Sequence, residues 1–262
     1  MRVVQLGEGE PSIAVVGSIH GDEPCGRDGI EAVLADPPEV QRPVKFIVAN
    51  EEALAAGTRY IDTDLNRAFP GDAESDALED RLAARLTDEI RDSTVLSLHS
   101  TQSYGGVFAL VDELTELSRD LCPKLSIDAV IQTAGANEGR IFSSVPATIE
   151  IECGYQGSPE AAENAERVIR EFLAATGVTD EPSPVRSTSL PVFQLGGPIP
   201  KDTAEEYEVF ARNFEPLDVG EPIAAADGRV VHAEEPFHPV LLSAEGYEDV
   251  FGYTATHVGT LD

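Results

Sequence analysis

Short β-branched segments alternate with longer amphipathic segments over the first 176 residues, and this alternation restricts the fold more than any other feature. The longer segments predict helices at residues 27–34, 73–91 and 159–175, the last preceded by Ser158 as its N-cap. The short segments predict strands at residues 3–6, 13–18, 44–48, 94–98, 107–111, 129–132 and 148–151. The pattern indicates an α/β domain with a largely parallel or mixed sheet.

The pattern changes after a proline-rich break at residues 179–184. Asp227-Gly228 lies between two later strand-like segments and predicts a β-hairpin. The strand-like segments of this part are residues 187–195, 208–214, 223–226, 229–231 and 240–242. We therefore predict an α/β domain over residues 1–180 and a smaller all-β domain over residues 186–262.

The charge balance is strongly acidic, with 18 Lys and Arg residues against 48 Asp and Glu residues and a net charge of −30. Such a surface repels phosphate backbones, which argues against a nucleic-acid partner. It also repels itself unless salt screens the charges, and the Debye length falls to about 3 Å at 1 M salt. We interpret the acidity as adaptation to the salt-rich cytoplasm of a halophile, although acidic proteins also occur in ordinary cells.

Hydrophobic residues make up 42% of the 262 residues, which is enough for a substantial core. No apolar run approaches the roughly 18 residues that span a membrane, and the N-terminal residues do not resemble a signal peptide. We therefore expect a cytoplasmic protein without a membrane partner. Cys25, Cys122 and Cys153 are widely spaced, so we expect small buried residues instead of disulfides.

Two histidines and a glutamate follow predicted strands in a pattern that suits a metal. His20 and Glu23 lie in the loop Gly-Ser-Ile-His-Gly-Asp-Glu after an apolar strand, and His99 follows a second apolar strand. Ligands bind at the carboxyl ends of strands in open α/β sheets, and catalytic zinc takes such donors while keeping one position open. A histidine in a loop is also common as a solvated or core residue, so both interpretations stay open at this point.

Two further motifs carry charged residues. Arg59, Asn66 and Arg67 lie within nine residues, where the arginines could hold carboxylates or form internal salt bridges with Asp62 and Asp64. In the second motif, Ile-Glu-Ile-Glu-Cys-Gly, two glutamates alternate with β-branched residues on one face of a strand. These are Glu150 and Glu152, and they predict either a general base near a metal or the solvated face of an edge strand.

Taken together, the motifs GSIHGDE, TRYIDTDLNRAFPG, LSLHST and IEIECG resemble the succinylglutamate desuccinylase/aspartoacylase family, and most closely its aspartoacylase branch. The resemblance covers most of residues 1–180. It implies a zinc carboxypeptidase-like fold, in which helices flank a mixed sheet and a smaller all-β domain at the C-terminus narrows the active site. It also implies a homodimer, which no sequence feature establishes.

The resemblance implies one Zn²⁺ per chain, with His20, Glu23 and His99 as its ligands. Arg59 would polarise the scissile carbonyl and stabilise the oxyanion. Glu152 would be the general base, because it stands two residues before a glycine as the family's glutamate does.

The same resemblance implies the substrate contacts. Asn66 and Arg67 would hold the substrate carboxylate, and Arg140 would lie where the family places an arginine for a second carboxylate. Tyr247 resembles a tyrosine of the C-terminal domain that closes over the substrate.

The implied activity is zinc-dependent hydrolysis of an N-acyl amino acid, a small anionic substrate of the N-acetylaspartate or N-succinylglutamate type. Two alternatives remain, a zinc carboxypeptidase that acts on short peptides and a non-catalytic descendant that binds acidic metabolites. The chain departs from the family at Ile19, Asp22 and the Tyr155-Gln156-Gly157 segment, which leaves the acyl group and the amino acid open.

Overall fold

A computed structural model describes residues 1–133, 140–183 and 189–262. Its α-helices are α1 Cys25–Ala35, α2 Glu51–Ala56, α3 Leu78–Ile90, α4 Glu116–Leu121, α5 Ile141–Ser144 and α6 Pro159–Ala175, and short 3₁₀ turns lie at Leu65–Arg67 and Cys122–Lys124. Its strands are β1 Arg2–Leu6, β2 Ile13–Gly17, β3 Val44–Val48, β4 Thr94–Thr101, β5 Phe108–Val111, β6 Ala129–Gln132, β7 Thr148–Tyr155, β8 Leu190–Pro200, β9 Tyr207–Val209, β10 Pro222–Ala226, β11 Arg229–His232, β12 His238–Val240 and β13 Val250–Leu261.

Ten strands form one mixed sheet in the order β1-β3-β2-β4-β7-β5-β6-β8-β13-β12. The neighbouring pairs β3–β2, β2–β4 and β4–β7 are parallel, whereas β5 pairs antiparallel with β7. Strands β5, β6 and β8 are again parallel to one another, whereas β1, β13 and β12 pair antiparallel. The predicted α/β class with a mixed sheet is confirmed.

Apolar side chains cover both faces of this sheet. On one face, α1 and α6 pack over β2, β4 and β7, and Ile30 and Phe172 are fully buried there. On the other face, α3 contributes Leu86 and Ile90 to a second core. Because α6 buries residues at helical spacing and Ser158 caps it through the Ala161 N–H at 3.1 Å, it matches its predicted bounds.

The C-terminal part continues the main sheet, since β8, β13 and β12 are hydrogen-bonded members of it. Within the described residues, β9, β10 and β11 form a separate antiparallel sheet. The predicted hairpin is confirmed, because Asp227 and Gly228 both have positive φ, at 47° and 74°, between β10 and β11. Pro184 in the predicted linker, and residues 186–188 at the start of the predicted second domain, lie outside the described residues, so the domain boundaries stay a prediction.

Helix α3 and strand β13 are among the elements that differ from the sequence predictions, and the reasons are physical. Helix α3 begins at Leu78 and not at residue 73, because the carboxylate of Asp62 accepts its N-terminal backbone N–H at 2.8 Å and the preceding residues form turns. Strand β13 was not predicted, because three register shifts against β8 interrupt its apolar alternation. Among the described residues, no helix is long and apolar enough to cross a membrane.

Glu79, a fully buried carboxylate on α3, holds the loop that leads to the 3₁₀ turn. It accepts hydrogen bonds from Asn50 Nδ2 and from the backbone N–H groups of Ile61, Asp62 and Thr63, at 2.7 to 3.1 Å. Burial alone would raise the pKa of this carboxyl, but these donors hold it below the ordinary value of 4.5.

Glu79→Gln should lower the free energy of unfolding by about 2 kcal/mol, because its amide N–H would face backbone donors. The native contribution is present above pH 4.5 and is lost as the pH falls, since the folded-state pKa is lowered. Urea unfolding measures both effects. Glu74→Gln, at an exposed position nearby, should change stability by less than ~0.5 kcal/mol, and equal losses in the two variants would contradict this role for Glu79.

Candidate metal centre

The loop that leaves β2 turns sharply, and small residues make this turn sterically feasible. Ser18 adopts a positive φ of 54°. A Cβ on Gly17 would lie 2.6 Å from the backbone of Gly26, and one on Gly21 would lie 2.1 Å from the backbone of Ala53. The glycines around the first histidine are therefore required because other backbone passes so close to them.

Glu23 brings the two predicted histidines together from different strands. Its Oε1 lies 2.8 Å from His20 Nδ1, and its Oε2 lies 3.0 Å from His99 Nδ1. One donor atom from each of the three side chains lies within 4.8 Å of the others, and all three side chains are buried. Among the described residues they form the one cluster of three or more His, Cys, Asp or Glu side chains suited to a metal ion.

The outer ring nitrogens of both histidines have partners of their own. His20 Nε2 lies 3.1 Å from Asp64 Oδ1, and His99 Nε2 lies 3.2 Å from the hydroxyl of Ser97. Such contacts fix the orientation of a ligating imidazole and leave its other nitrogen toward the metal. Asp64 was not predicted as a partner because it is 44 residues from His20 along the chain. Ser97 is only two residues from His99, but the motif that contains it did not predict this contact.

The charges at this point favour a cation. Burial alone would lower the pKa of His20, but Glu23 and Asp64 outweigh it and raise that pKa to about 9. Burial likewise opposes ionisation of Glu23, yet the two histidines hold its pKa well below the ordinary value. The site thus stabilises positive charge between these donors, and two imidazoles with one carboxylate are one of the donor sets of catalytic zinc sites.

Glu152 lies beside this cluster because β4 and β7 are neighbours, and His99 and Glu152 occupy paired positions in their register. Burial, assisted by the charge of Glu23, raises the pKa of Glu152 to about 7. Its Oε2 is buried and accepts no hydrogen bond from the described residues. Strand β7 is central in the sheet, so the edge-strand interpretation of the two glutamates is wrong.

Strands β4 and β7 both run beyond their predicted ends, to Thr101 and Tyr155. His99 and Glu152 are therefore held within strands and not in the loops that follow them. This placement makes both side chains rigid, because the backbone on each side is part of the sheet ladder.

Arg59 forms the internal salt bridge that one interpretation of its motif predicted, whereas its contact with a substrate stays a prediction. Its Nε and Nη2 each lie 3.1 Å from Asp64 Oδ2, and its Nη1 lies 3.3 Å from Glu23 Oε1. It therefore forms an internal salt bridge and also faces the cavity beside the metal cluster. Asp62 takes no part in this salt bridge, since its carboxylate caps α3.

Glu150 accepts hydrogen bonds from both Arg140 and Asn66. Arg140 Nη2 donates to Glu150 Oε2 at 2.5 Å, and Asn66 Nδ2 donates to Glu150 Oε1 at 3.1 Å. The Asn66 Oδ1 in turn accepts the backbone N–H of Ile141 at 3.2 Å. The alternation of Glu150 and Glu152 on one strand face was the sequence signal for this contact, but the partners were not predictable from it.

A cavity of about 460 Å³ is lined by all nine predicted site residues. These are His20, Glu23, Arg59, Asn66, Arg67, His99, Arg140, Glu152 and Tyr247. Residues of the C-terminal part, among them Leu195, Leu241 and Tyr253, complete the wall. Burial, with the nearby charge of Glu152, raises the pKa of Tyr247 above its ordinary value, so its phenol stays protonated near neutral pH.

Comparison with known proteins places the chain among amide-hydrolysing enzymes. It is 23% identical over 269 residues to a probable aspartoacylase of Nostoc sp., and the match covers 90% of this chain and 92% of that protein. A stretch of 127 residues is 33% identical to the N-acyl-aromatic-L-amino acid amidohydrolase (carboxylate-forming) of Mus musculus, covering 42% of this chain and 40% of that enzyme.

Solved structures show the same fold at low identity. A succinylglutamate desuccinylase from Silicibacter sp. superimposes with a TM-score of 0.79 at 16% identity, covering 98% of this chain and 88% of that one. Murine aminoacylase 3 gives a TM-score of 0.75 at 22% identity and covers 98% of both chains. Residues 9–175 match the family described as the succinylglutamate desuccinylase/aspartoacylase catalytic domain, and the chain belongs to this family.

Proposed function

We propose that the protein is a zinc-dependent amidohydrolase that cleaves an N-acyl amino acid into a carboxylate and a free amino acid. One observation carries the proposal: the His20–Glu23–His99 cluster and the buried carboxylate of Glu152 line a single cavity. The names of the relatives support the substrate class, since they include an aspartoacylase and an amidohydrolase of N-acyl aromatic amino acids. The candidate substrates therefore range from N-acetylaspartate and N-succinylglutamate to N-acylated aromatic amino acids.

The Nδ1 atoms of His20 and His99 and the carboxylate of Glu23 would hold one Zn²⁺. When bound, the ion supplies a Lewis acid for the amide carbonyl and lowers the pKa of water toward about 7. Asp64 and Ser97 hold the two rings in place from the outer side.

Glu152 accepts a proton from the attacking water and delivers it to the leaving amine. A pKa of about 7 lets this carboxyl exchange a proton in both directions near neutral pH. Arg59 faces the same region and stabilises the negative charge that develops on the carbonyl oxygen. Losing one such donor typically costs about 10²–10³ in rate.

Arg67 binds the substrate carboxylate, and Asn66 helps to position it. Tyr247 lines the cavity from the C-terminal part, where it would cover the bound substrate. The same part supplies Leu241 and Tyr253 to the wall. We take this wall to limit access to small substrates, which favours an N-acyl amino acid over the peptides of a carboxypeptidase.

Zinc should stabilise the chelator-treated protein against unfolding, by about 2.7 kcal/mol at a free concentration of 100 times Kd. His99→Ala should remove most of this effect because one of the donors is lost. His232→Ala is the matched control, since this histidine is exposed on β11. A wild-type protein whose thermal unfolding does not respond to zinc would favour the non-catalytic binding alternative.

Glu152→Gln should reduce kcat by about 10²–10⁴, because it removes the proton acceptor. Its zinc content should equal that of the wild type, since Glu152 is not one of the donors. The assay offers N-acetylaspartate, N-succinylglutamate, N-acetylphenylalanine and C-terminal dipeptides to both proteins. Cleavage of dipeptides alone would establish a carboxypeptidase, and full activity of the variant would remove Glu152 from the mechanism.

The acidic surface supports a salt-rich working environment. The free energy of unfolding should rise by on the order of 2 kcal/mol between about 0.1 and 2 M KCl, because salt screens the repulsion among the excess acidic groups. Sucrose at equal osmolality is the control, since it stabilises by exclusion and not by screening. Equal effects of the two solutes would contradict the halophilic interpretation. The cytoplasmic location and the homodimer stay predictions.

A further inference from the structure

Three arginines line the cavity, but their charges are not equally available to a substrate. Arg59 is paired with Asp64 at 3.1 Å and lies 3.3 Å from Glu23. Arg140 is paired with Glu150 at 2.5 Å. Arg67 forms no ion pair with any residue in the described ranges, and its Nη1 donates only to the backbone oxygen of Asn66 at 2.7 Å. Arg67 is therefore the cavity arginine that no described carboxylate holds at salt-bridge distance, although its charge also acts on Asp64.

The pair of Arg140 and Glu150 is built into the rigid part of the fold. Glu150 lies on the central strand β7 and is 1% exposed, whereas the side chain of Arg140 is 17% exposed where it reaches the cavity. Asn66 donates to the other oxygen of Glu150, so both oxygens of this carboxylate are hydrogen-bonded. A buried carboxylate held in this way stays ionised, since burial alone would raise its pKa but Arg140 and Asn66 lower it.

From these contacts we infer that the substrate carries a single carboxylate, so that both its side chain and its acyl group are uncharged. This inference rests on the proposed function and narrows it to N-acyl derivatives of neutral amino acids. Arg67 binds the one carboxylate. A second carboxylate directed at Arg140 would meet a guanidinium already paired with Glu150 and would be repelled by that glutamate at short range.

Three leucines provide apolar area for an uncharged side chain within a wall whose other members are mostly polar. Leu110 contributes from the main sheet, and Leu195 and Leu241 contribute from the C-terminal part. Burying an apolar side chain of the substrate against these leucines is favourable by roughly 25 cal/mol per Å². Glu150 is thus a specificity-determining residue, because it neutralises Arg140, the arginine expected from the sequence to bind a second carboxylate.

The test compares kcat/KM of the zinc-loaded protein for N-acetyl-L-phenylalanine and N-acetyl-L-leucine with the values for N-acetyl-L-aspartate and N-succinyl-L-glutamate. The wild type should favour the first two substrates by at least about 10-fold. Glu150→Gln should shift this ratio by about 10-fold or more toward the dianionic substrates, because the freed guanidinium can form a charge-assisted contact with the second carboxylate.

Two further variants separate this effect from a general change of charge. Glu248→Gln removes an exposed carboxylate from the wall of the same cavity and should shift the ratio by less than about threefold, because solvent screens that group. The double variant Arg140→Gln with Glu150→Gln should keep the wild-type preference, since it has no freed guanidinium. If Glu150→Gln alone fails to fold, the double variant still tests the inference. A double variant that prefers dianionic substrates would contradict the role of this pair.

Binding of the intact substrates to the zinc-loaded Glu152→Gln protein, measured by calorimetry, distinguishes failure of this inference from failure of the proposed function. A wild type that cleaves dianionic substrates faster than the neutral ones overturns the inference and leaves the proposed function intact. If no substrate is cleaved but N-acetyl-L-phenylalanine binds more tightly than N-acetyl-L-aspartate, the proposed function fails and the selectivity for one carboxylate stands. Equal shifts in Glu150→Gln and Glu248→Gln would also overturn the role of Glu150.

Discussion

The bridging carboxylate of Glu23 is the interaction on which the site depends. It contacts His20 through one oxygen and His99 through the other, and its Oε2 also accepts the backbone N–H of Ser100 at 3.3 Å. These contacts join the loop after β2 to the end of β4. Strands β2 and β4 are parallel neighbours in the sheet. Burying such a charge is favourable only when every oxygen has partners, and here the partners are the side chains suited to a metal.

Local pairing sets the electrostatics of the cavity in a chain with a net charge of −30. The cavity gathers three arginines, and the fold neutralises two of them with buried or half-buried carboxylates. Arg67 is the third, and it forms no ion pair with a residue in the described ranges. The charge of the cavity therefore follows from individual pairs and not from the overall composition.

The C-terminal part is structurally continuous with the catalytic core. Strands β8 and β13 extend the main sheet, so the segment that carries Tyr247 is anchored on the same framework as Glu152. Their long antiparallel pairing, with His257 opposite Phe193, fixes where the cavity wall lies. A wall held by backbone hydrogen bonds gives a cavity of defined size, which suits recognition of a small substrate.

The sequence by itself determined the α/β class, the helix after Ser158 and the hairpin at Asp227, because local periodicity and turn chemistry report the conformation of adjacent residues. Its motifs also marked nine residues that line one cavity, while their roles stay a prediction. It could not determine strand β13, whose register shifts disturb the pattern, or the partners that decide the electrostatics. Asp64 reaches His20 and Glu150 reaches Asn66, 84 residues away, only when the sheet is assembled. Tertiary structure decided which arginines are paired with carboxylates. The energy of such a pair depends on the distance between the atoms in space and not on their separation along the chain.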